Sequence, residues 1–372
     1  MLVYQEIAQR LRREIKYGLR SPGALLPPET VFAEELGVSR KTLRKAFAEL
    51  EQEGLITRRK HVGTGICADA AEKIRLSLRV GVVFSILGSE EALSASVLLA
   101  SAGPATELQL LLRRLLQEGV NLQLLSDLHF EQQQDLWQEF DGLFFIPPHG
   151  AALSLRQAAD KHFPHLNLEN HLPYPGINTV MADDEQAAYE CTRELLQIGH
   201  KQIAFIGGAL QSPDVDSGFR RRTRGFLRAY ADFSLTPSPD WIFNLENQSS
   251  YQMSELLRDY PARTAACSAV VAAVGHSVLE LENLRRRHGQ QLFPCKELRC
   301  IDLQPLHLGP GELCRLQQYH GYIKPRQEVA TTAYEHLLQW IGDPDYQFQC
   351  HKIPFHRHIP VQEQKEFIYA EA

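Results

Sequence analysis

The sequence has no run of about 18 apolar residues, the length that a membrane-spanning helix requires, so we expect no membrane span. Its seven cysteines are scattered and none forms a Cys-x-x-Cys pair, which argues against a disulfide framework and a zinc knuckle. The N-terminal residues are amphipathic and lack a small-residue cleavage site, so we expect no secretory signal. Together these absences predict a cytoplasmic protein with ordinary buried thiols.

Enzymatic motifs are also missing. The sequence contains neither Gly-x-Ser-x-Gly nor His-Glu-x-x-His, and Gly207-Gly208 lacks the spacing of a nucleotide-binding loop. The spacing of His356 and His358 would place both on one face of a strand, where two histidines can hold a metal ion, but no cysteine or carboxylate is fixed beside them. We therefore predict that the chain is not an enzyme and has no cofactor and no metal site.

Charge is unevenly distributed along the chain. Its 372 residues are more than a single hydrophobic core usually supports, so two or three domains are expected. Residues 1–66 carry a net charge of +4 and the remainder carries −10, against −6 for the whole chain. A small basic segment on a large acidic remainder favours contact with a polyanion through that segment alone, although a four-charge excess is common on small domains.

Residues 1–67, here called the head, predict three helices followed by a hairpin. Gly37 suits the left-handed residue of a turn. Ser39 is a good N-cap for a third helix, predicted from Arg40 to Glu53, with Leu43, Ala46, Phe47 and Leu50 facing the core. The segment LITRRKHVGTGICA then alternates as a two-stranded wing whose glycines make a tight turn.

The first turn and a half of this third helix presents cationic and polar side chains away from the apolar face. A recognition helix points this end into the major groove, where arginine reads guanine and cations meet phosphates. Cations of the wing can lie along the backbone or the minor groove. The predicted DNA-binding side chains are Arg40, Lys41, Thr42, Arg44, Lys45, Arg58 and His61.

The head resembles the winged helix-turn-helix of GntR-family transcription regulators. The resemblance rests on the order of Pro-Gly, Leu-Pro-x-Glu, Gly-Val-Ser-Arg-x-Thr-Leu-Arg, Glu-Gly-Leu-Ile and the glycine wing. It implies DNA contacts by Arg40, Thr42, Arg44, His61 and Gly63. Thr30 departs from the family, which often has arginine after the Leu-Pro-x-Glu glutamate, so operator sequence or affinity is expected to differ. The alternative is a winged helix used only for protein contacts.

Residues 78–372, here called the body, follow a segment of small and polar residues, 68–77, that we predict to be a linker. Apolar runs such as RVGVVFSI and KQIAFIGG alternate with helical patterns such as EQAAYECTRELLQIG. This alternation predicts parallel strands with right-handed crossovers. Two such sheets make two lobes, and a ligand is expected between them at the carboxyl ends of the strands.

The body resembles the effector-binding domain of LacI/GalR-type repressors, itself similar to periplasmic sugar-binding proteins. The segment TVMADDEQ matches a Val-x-x-Asp-Asn start, and RRTRGF matches Arg-x-x-Gly-Phe. The implied fold class is multidomain α+β, an N-terminal winged helix-turn-helix followed by a two-lobed α/β domain with parallel sheets. We predict lobe 1 to comprise about 78–182 with 304–324, and lobe 2 about 183–303 with 325–372.

The same resemblance places three residues at the ligand. Arg222 of Arg-x-x-Gly-Phe would donate to a hydroxyl or carboxylate. Asp302, at a strand carboxyl end, would accept from sugar hydroxyls, and Asp183 would line the cleft at the lobe crossing. The alternative for Arg222 is a solvated helix face, because it ends an Arg-Arg-Arg run. Gly275 stands where the family usually has an aspartate, which weakens the prediction of a sugar.

The two resemblances predict a homodimeric, ligand-responsive transcription regulator, a repressor of carbohydrate-metabolism genes. Its affinity for a double-stranded operator would change when a small molecule, a sugar or sugar derivative, binds between the lobes. The alternative is a sugar sensor that acts through protein–protein contacts without specific DNA binding. Loss of salt-dependent DNA affinity would favour that alternative.

Overall fold

The computed structural model describes residues 3–16, 20–59, 62–84, 106–126, 139–146, 152–169, 172, 174–208, 217–244, 257–288, 297–305, 308–343, 346 and 348–360. The head forms the predicted winged helix-turn-helix. Its elements are α1 (Val3–Lys16), α2 (Glu29–Glu35), α3 (Arg40–Gln52), β1 (Ile56–Arg59) and β2 (Gly63–Ile66), and the two strands pair antiparallel as the wing.

Helix α3 begins at the residue that its cap predicts. The Ser39 hydroxyl accepts the backbone N–H of Thr42 at 3.1 Å, and Gly37 has a φ of 65° in the turn before it. The four predicted apolar residues of α3 are all buried: Leu43, Ala46, Phe47 and Leu50. Packing this face against α1 and α2 fixes which side of α3 points outward.

Segment 68–77, predicted as a linker, is largely helical. Helix α4 (Ala70–Ser77) buries Ala70 and Ile74 in the core of the head. Lys73 Nζ also donates to the Gly54 carbonyl at 3.3 Å. Alanine and glutamate favour a helix, and one apolar pair four residues apart is enough to seat a short helix on α1.

Lobe 1 is built on a parallel sheet with the strand order β13-β7-β6-β5-β3-β4. The strands are β3 (Arg79–Phe84), β4 (Asn121–Ser126), β5 (Gly142–Ile146), β6 (His165–Leu168), β7 (Thr179–Ala182) and β13 (Cys350–Ile353). The described helices of lobe 1 are α5 (Glu107–Gln117), α6 (Ala152–Asp160) and α12 (Arg326–Gly342).

Lobe 2 is built on a second sheet with the order β14-β12-β11-β10-β8-β9. Its strands are β8 (Ile203–Gly208), β9 (Ile242–Asn244), β10 (Ala269–Ala272), β11 (Glu297–Cys300), β12 (His320–Ile323) and β14 (His356–His358), and the β14 edge alone pairs antiparallel. The described helices are α7 (Asp184–Gln197), α8 (Gly218–Asp232), α9 (Tyr260–Arg263), α10 (Gly275–His288) and α11 (Pro310–Leu316).

The prediction of which lobe contains each of the last segments of the chain is wrong in two places. Segment 304–324 was assigned to lobe 1, but β12 lies in the sheet of lobe 2. Segment 325–372 was assigned to lobe 2, but α12 packs on β5, β6 and β7, and β13 joins the sheet of lobe 1. The assignment is confirmed for β14, which pairs with β12 in lobe 2. Local periodicity predicts the helix α12 itself. It does not predict which sheet packs against the apolar face of α12, because that packing depends on residues distant in sequence.

His165 is a titratable group inside lobe 1. Its side chain is fully buried, and Nδ1 donates to the Phe163 carbonyl at 2.8 Å. Its ring centroid lies 5.0 Å from that of Trp340 on α12. Burial disfavours the charged imidazolium and lowers the pKa of His165 to about 4.

We expect His165 to make the fold less stable in mild acid. The unfolded chain binds a proton near pH 6.5, whereas the folded His165 stays neutral down to about pH 4. Stability is therefore lost as the pH falls through this window, by roughly 2 kcal/mol between pH 7 and pH 5 from this residue. Urea unfolding of His165→Leu should show a shallower pH dependence than the wild type. Leu166→Ala, which truncates a buried apolar side chain on the same strand, is the control and should keep the wild-type slope.

Candidate nucleic-acid interface and interlobe site

The outward face of α3 carries the side chains predicted to contact DNA. Arg40, Lys41, Arg44 and Lys45 are exposed, and Lys45 Nζ lies 5.6 Å from the centre of the Tyr4 ring. The Thr42 hydroxyl is half-buried and lies 2.8 Å from the Ser39 hydroxyl, so it is partly engaged at the helix cap. Four cations on the outward face of α3, near its start, can neutralise phosphate groups of a DNA backbone.

Arg44 is oriented by a carboxylate from the preceding helix. Its Nε donates to Glu29 Oε2 at 2.7 Å, while 57% of the Arg44 side chain stays exposed. Glu29 is the glutamate of the Leu-Pro-x-Glu motif and the first residue of α2. No role for Glu29 was predicted from the sequence, although the motif itself was identified. In the described part of the head this pair engages Nε, and the terminal nitrogens are the atoms with which an arginine reads guanine.

The wing residues differ from one another. Arg58 lies against α3, with Nη2 at 3.4 Å from the Arg44 carbonyl and its guanidinium 5.6 Å from the centre of the Phe47 ring. Gly63 is exposed at the wing with a φ of 121°, which strains any other residue. His61 lies outside the described residues.

The predicted ligand residue Arg222 is buried, not solvated. Its Nε donates to Asp184 Oδ1 and its Nη1 to the Ala273 carbonyl, both at 2.7 Å. The rings of Phe219 and Phe355 lie 5.9 Å and 5.8 Å from its guanidinium carbon. The solvated-face alternative does describe other arginines of α8, because Arg224 and Arg228 are exposed and pair with Glu185.

Asp184, and not Asp183, is the carboxylate that meets these arginines. Asp183 caps α7 by accepting the Gln186 N–H at 3.2 Å. Asp184 is fully buried and also binds Arg221 at 2.6 Å. Burial opposes its charge, but the two guanidiniums outweigh that effect and hold its pKa well below its usual range. The sequence contains a signal for the role of Asp184, because this aspartate occupies the position at which the Val-x-x-Asp-Asn pattern has asparagine.

Asp302 follows β11 and is almost fully buried. Its Oδ2 lies 2.5 Å from Arg326 Nη2, and its Oδ1 accepts the Gln304 N–H at 3.2 Å. Nearby, a side chain at Gly275 would meet Leu316 at 2.4 Å and Pro305 at 2.9 Å. The aspartate that the family usually has at this place therefore does not fit without rearrangement.

A buried ion cluster continues from Asp302 into lobe 1. Arg326 Nε lies 3.5 Å from Glu107, and Lys324 Nζ lies 2.9 Å from Glu107 and 2.7 Å from Glu169. Burial opposes the charge of Glu107, but Lys324 and Arg326 hold its pKa below the usual range, whereas burial raises the pKa of Glu169. With Asp184, Arg221 and Arg222, these residues place paired charges at the crossings between the lobes.

Neither a metal site nor a membrane span is found in the described part of the chain. No group of three or more histidine, cysteine or acidic side chains there is arranged to hold a metal ion. His356 binds Glu328, and His358 Nε2 donates to the Gln317 carbonyl at 3.0 Å, so the two do not converge. Among the described helices, none has both the length and the apolarity needed to cross a bilayer.

Residues 129–355 match the family model described as periplasmic binding proteins and sugar binding domain of the LacI family. The match spans more than half of the chain. The chain belongs to this family. Residues 3–66 match the model described as bacterial regulatory proteins, gntR family, so this LacI-family chain carries a GntR-type head.

The chain is similar to known transcription regulators in sequence and in fold. The arabinose metabolism transcriptional repressor of Halalkalibacterium halodurans is 25% identical over 76% of either chain, and that of Geobacillus stearothermophilus is 25% identical over 70% of either chain. The transcription regulator CcpA of Lactococcus lactis has a similar fold, with a TM-score of 0.55 at 16% identity over 76% of this chain and 97% of its own. This LacI-family chain is a ligand-responsive, DNA-binding transcription regulator with a winged head and a two-lobed ligand domain.

Proposed function

We propose that this regulator acts in the cytoplasm as a homodimeric repressor of carbohydrate-metabolism genes, with a pentose such as L-arabinose as its effector. The head supports operator binding, because exposed cations occupy the first turns of α3 and Glu29 orients Arg44. Two heads in a dimer would reach half-sites about one turn of DNA apart. No catalytic role is proposed for the chain, since the relatives named above are regulators.

The proposal of an uncharged sugar as effector rests on one observation: the buried charges between the lobes are paired with one another. Across the crossings, four cations are paired with four carboxyl groups: Arg221 and Arg222 with Asp184, Lys324 with Glu107 and Glu169, and Arg326 with Asp302. A ligand held by these groups gains little from a charge of its own and more from hydroxyls that donate to Asp302 and accept from Arg222. The names of the two arabinose-metabolism repressors point to the same kind of molecule.

Fluorescence anisotropy with the DNA upstream of the protein's own gene tests this function. We expect specific binding in which the logarithm of the affinity falls linearly with the logarithm of the salt concentration, and L-arabinose should weaken this binding. D-Glucose and arabinose 5-phosphate serve as matched sugars of different size and charge. A response to the phosphate but not to L-arabinose would contradict the proposed effector class. Binding equal to that of an unrelated duplex would contradict operator recognition itself.

A further inference from the structure

Arg221 is the largest of the fully buried side chains in the described residues, and neither the DNA surface nor the proposed ligand position uses it. Only 1% of its side chain is exposed. A buried guanidinium is unfavourable unless strong acceptors surround it. Its acceptors therefore indicate what the residue does.

The acceptors of Arg221 lie in different lobes. One guanidinium nitrogen, Nη2, donates to Asp184 Oδ2 at 2.6 Å and to the Glu169 carbonyl at 2.9 Å. Arg221 and Asp184 belong to α8 and α7 of lobe 2, whereas Glu169 directly follows β6 of lobe 1. A single side chain thus joins the lobes at the edge where their strands end.

Glu169 presents its carbonyl through an unusual backbone conformation. Its φ is 64°, in the left-handed region that residues other than glycine rarely adopt. The side chain helps to hold this conformation, because its Oε1 accepts the Ala182 N–H at 3.3 Å and its Oε2 lies 2.7 Å from Lys324 Nζ. Lys324 lies in the crossing between β12 and α12. Strained backbone held by several bonds is typical of functional positions.

We propose that Arg221 and the Glu169 carbonyl form a clasp that sets the arrangement of the two lobes. Asp184 links this clasp to the ligand position, since its other oxygen binds Arg222. A ligand that accepts a hydrogen bond from Arg222 competes with Asp184 for that guanidinium and so alters the support that Asp184 gives to Arg221. This second step rests on the proposed function, whereas the clasp itself does not.

The distance between the lobes tests the clasp without any effector. Spin labels are attached at Leu153→Cys on α6 and Ile198→Cys at the end of α7, both exposed positions, in a background with Cys67, Cys295, Cys314 and Cys350 replaced by serine. Diluting labelled chains with unlabelled ones isolates the distance within one chain. Arg221→Lys should broaden the distance distribution and shift it, because the lysine ammonium lies one bond closer to the backbone than Nη2 and does not reach both acceptors from there.

Arg228→Lys is the matched control, because Arg228 lies on the same helix but pairs with Glu185 at the surface. A distribution for Arg221→Lys that matches this control would overturn the clasp. If Arg221→Lys does not fold, Glu169→Gly decides, since it removes the carboxylate that holds the carbonyl and permits other φ values. Broadening with Glu169→Gly supports the clasp, and an unchanged distribution overturns it.

The coupling step has its own readout. In anisotropy titrations, the ratio of operator affinities without and with L-arabinose should fall at least threefold in Arg221→Lys and stay unchanged in Arg228→Lys. An unchanged ratio in Arg221→Lys would overturn the coupling. If wild-type protein binds its operator but ignores L-arabinose, the proposed effector fails while the distance measurement still decides the clasp.

Discussion

Replacing Arg44 with alanine should weaken binding to the specific operator by about 1–3 kcal/mol, the effect expected when an arginine that reads a base is lost. Arg44 is exposed for more than half of its side chain, and its Nε donates to Glu29 Oε2 at 2.7 Å. The substitution removes no core contact, so the melting temperature should stay close to that of the wild type. Anisotropy with specific and unrelated duplexes measures the effect.

Lys41→Ala is the control for Arg44→Ala, because Lys41 is an exposed cation on the same turn of α3. Loss of a phosphate contact weakens binding to all sequences by a similar factor and lowers the salt slope by about one. Arg44→Ala should instead bring the specific affinity towards the unspecific one. Equal loss on both duplexes would place Arg44 on a phosphate, and no loss would remove it from the interface.

Replacing Asp184 with alanine should lower the free energy of unfolding by about 3–5 kcal/mol, the cost of leaving buried charges without their partner. Two guanidiniums, those of Arg221 and Arg222, depend on this one carboxylate. Chemical denaturation monitored by circular dichroism measures the change. Because the folded pKa of Asp184 lies below the unfolded value, the contribution is present above about pH 4 and is lost as the pH falls further.

Glu185→Ala is the control for Asp184→Ala, because it removes the neighbouring carboxylate that pairs with Arg224 and Arg228 at the surface. Exposed pairs contribute at most about 1 kcal/mol, so this variant should remain close to the wild type. A loss of stability for Asp184→Ala no larger than that of the control would show that the buried arginines find other acceptors.

The elements of the head could be predicted from sequence because their signals are local. The Ser39 cap and the apolar residues of α3 lie within fourteen positions of one another, and the structure confirms both. Helix α4 was missed because its docking depends on Ile74 meeting α1, a contact between distant parts of the chain. The same reason explains why 304–324 was wrongly assigned to lobe 1, and α12 and β13 to lobe 2.

The residue pairs of the interlobe site were also not predictable from local sequence patterns. The resemblance pointed to Arg222 and Asp302, and both lie buried at the strand ends where a ligand was expected. Their partners Asp184 and Arg326 are distant from them in sequence, at separations of 38 and 24 residues, so pattern alone did not pair them. Asp183 as a residue lining the cleft stays a prediction, and in the structure its side chain caps its own helix.

The central claim is that a molecule bound between the lobes changes how tightly the head binds DNA. One titration tests it most directly: operator affinity of the full chain, measured by anisotropy at fixed salt, with and without saturating L-arabinose. We predict specific binding that weakens when the sugar is added. Tight, sequence-specific binding that no pentose, hexose or sugar phosphate alters would contradict the claim.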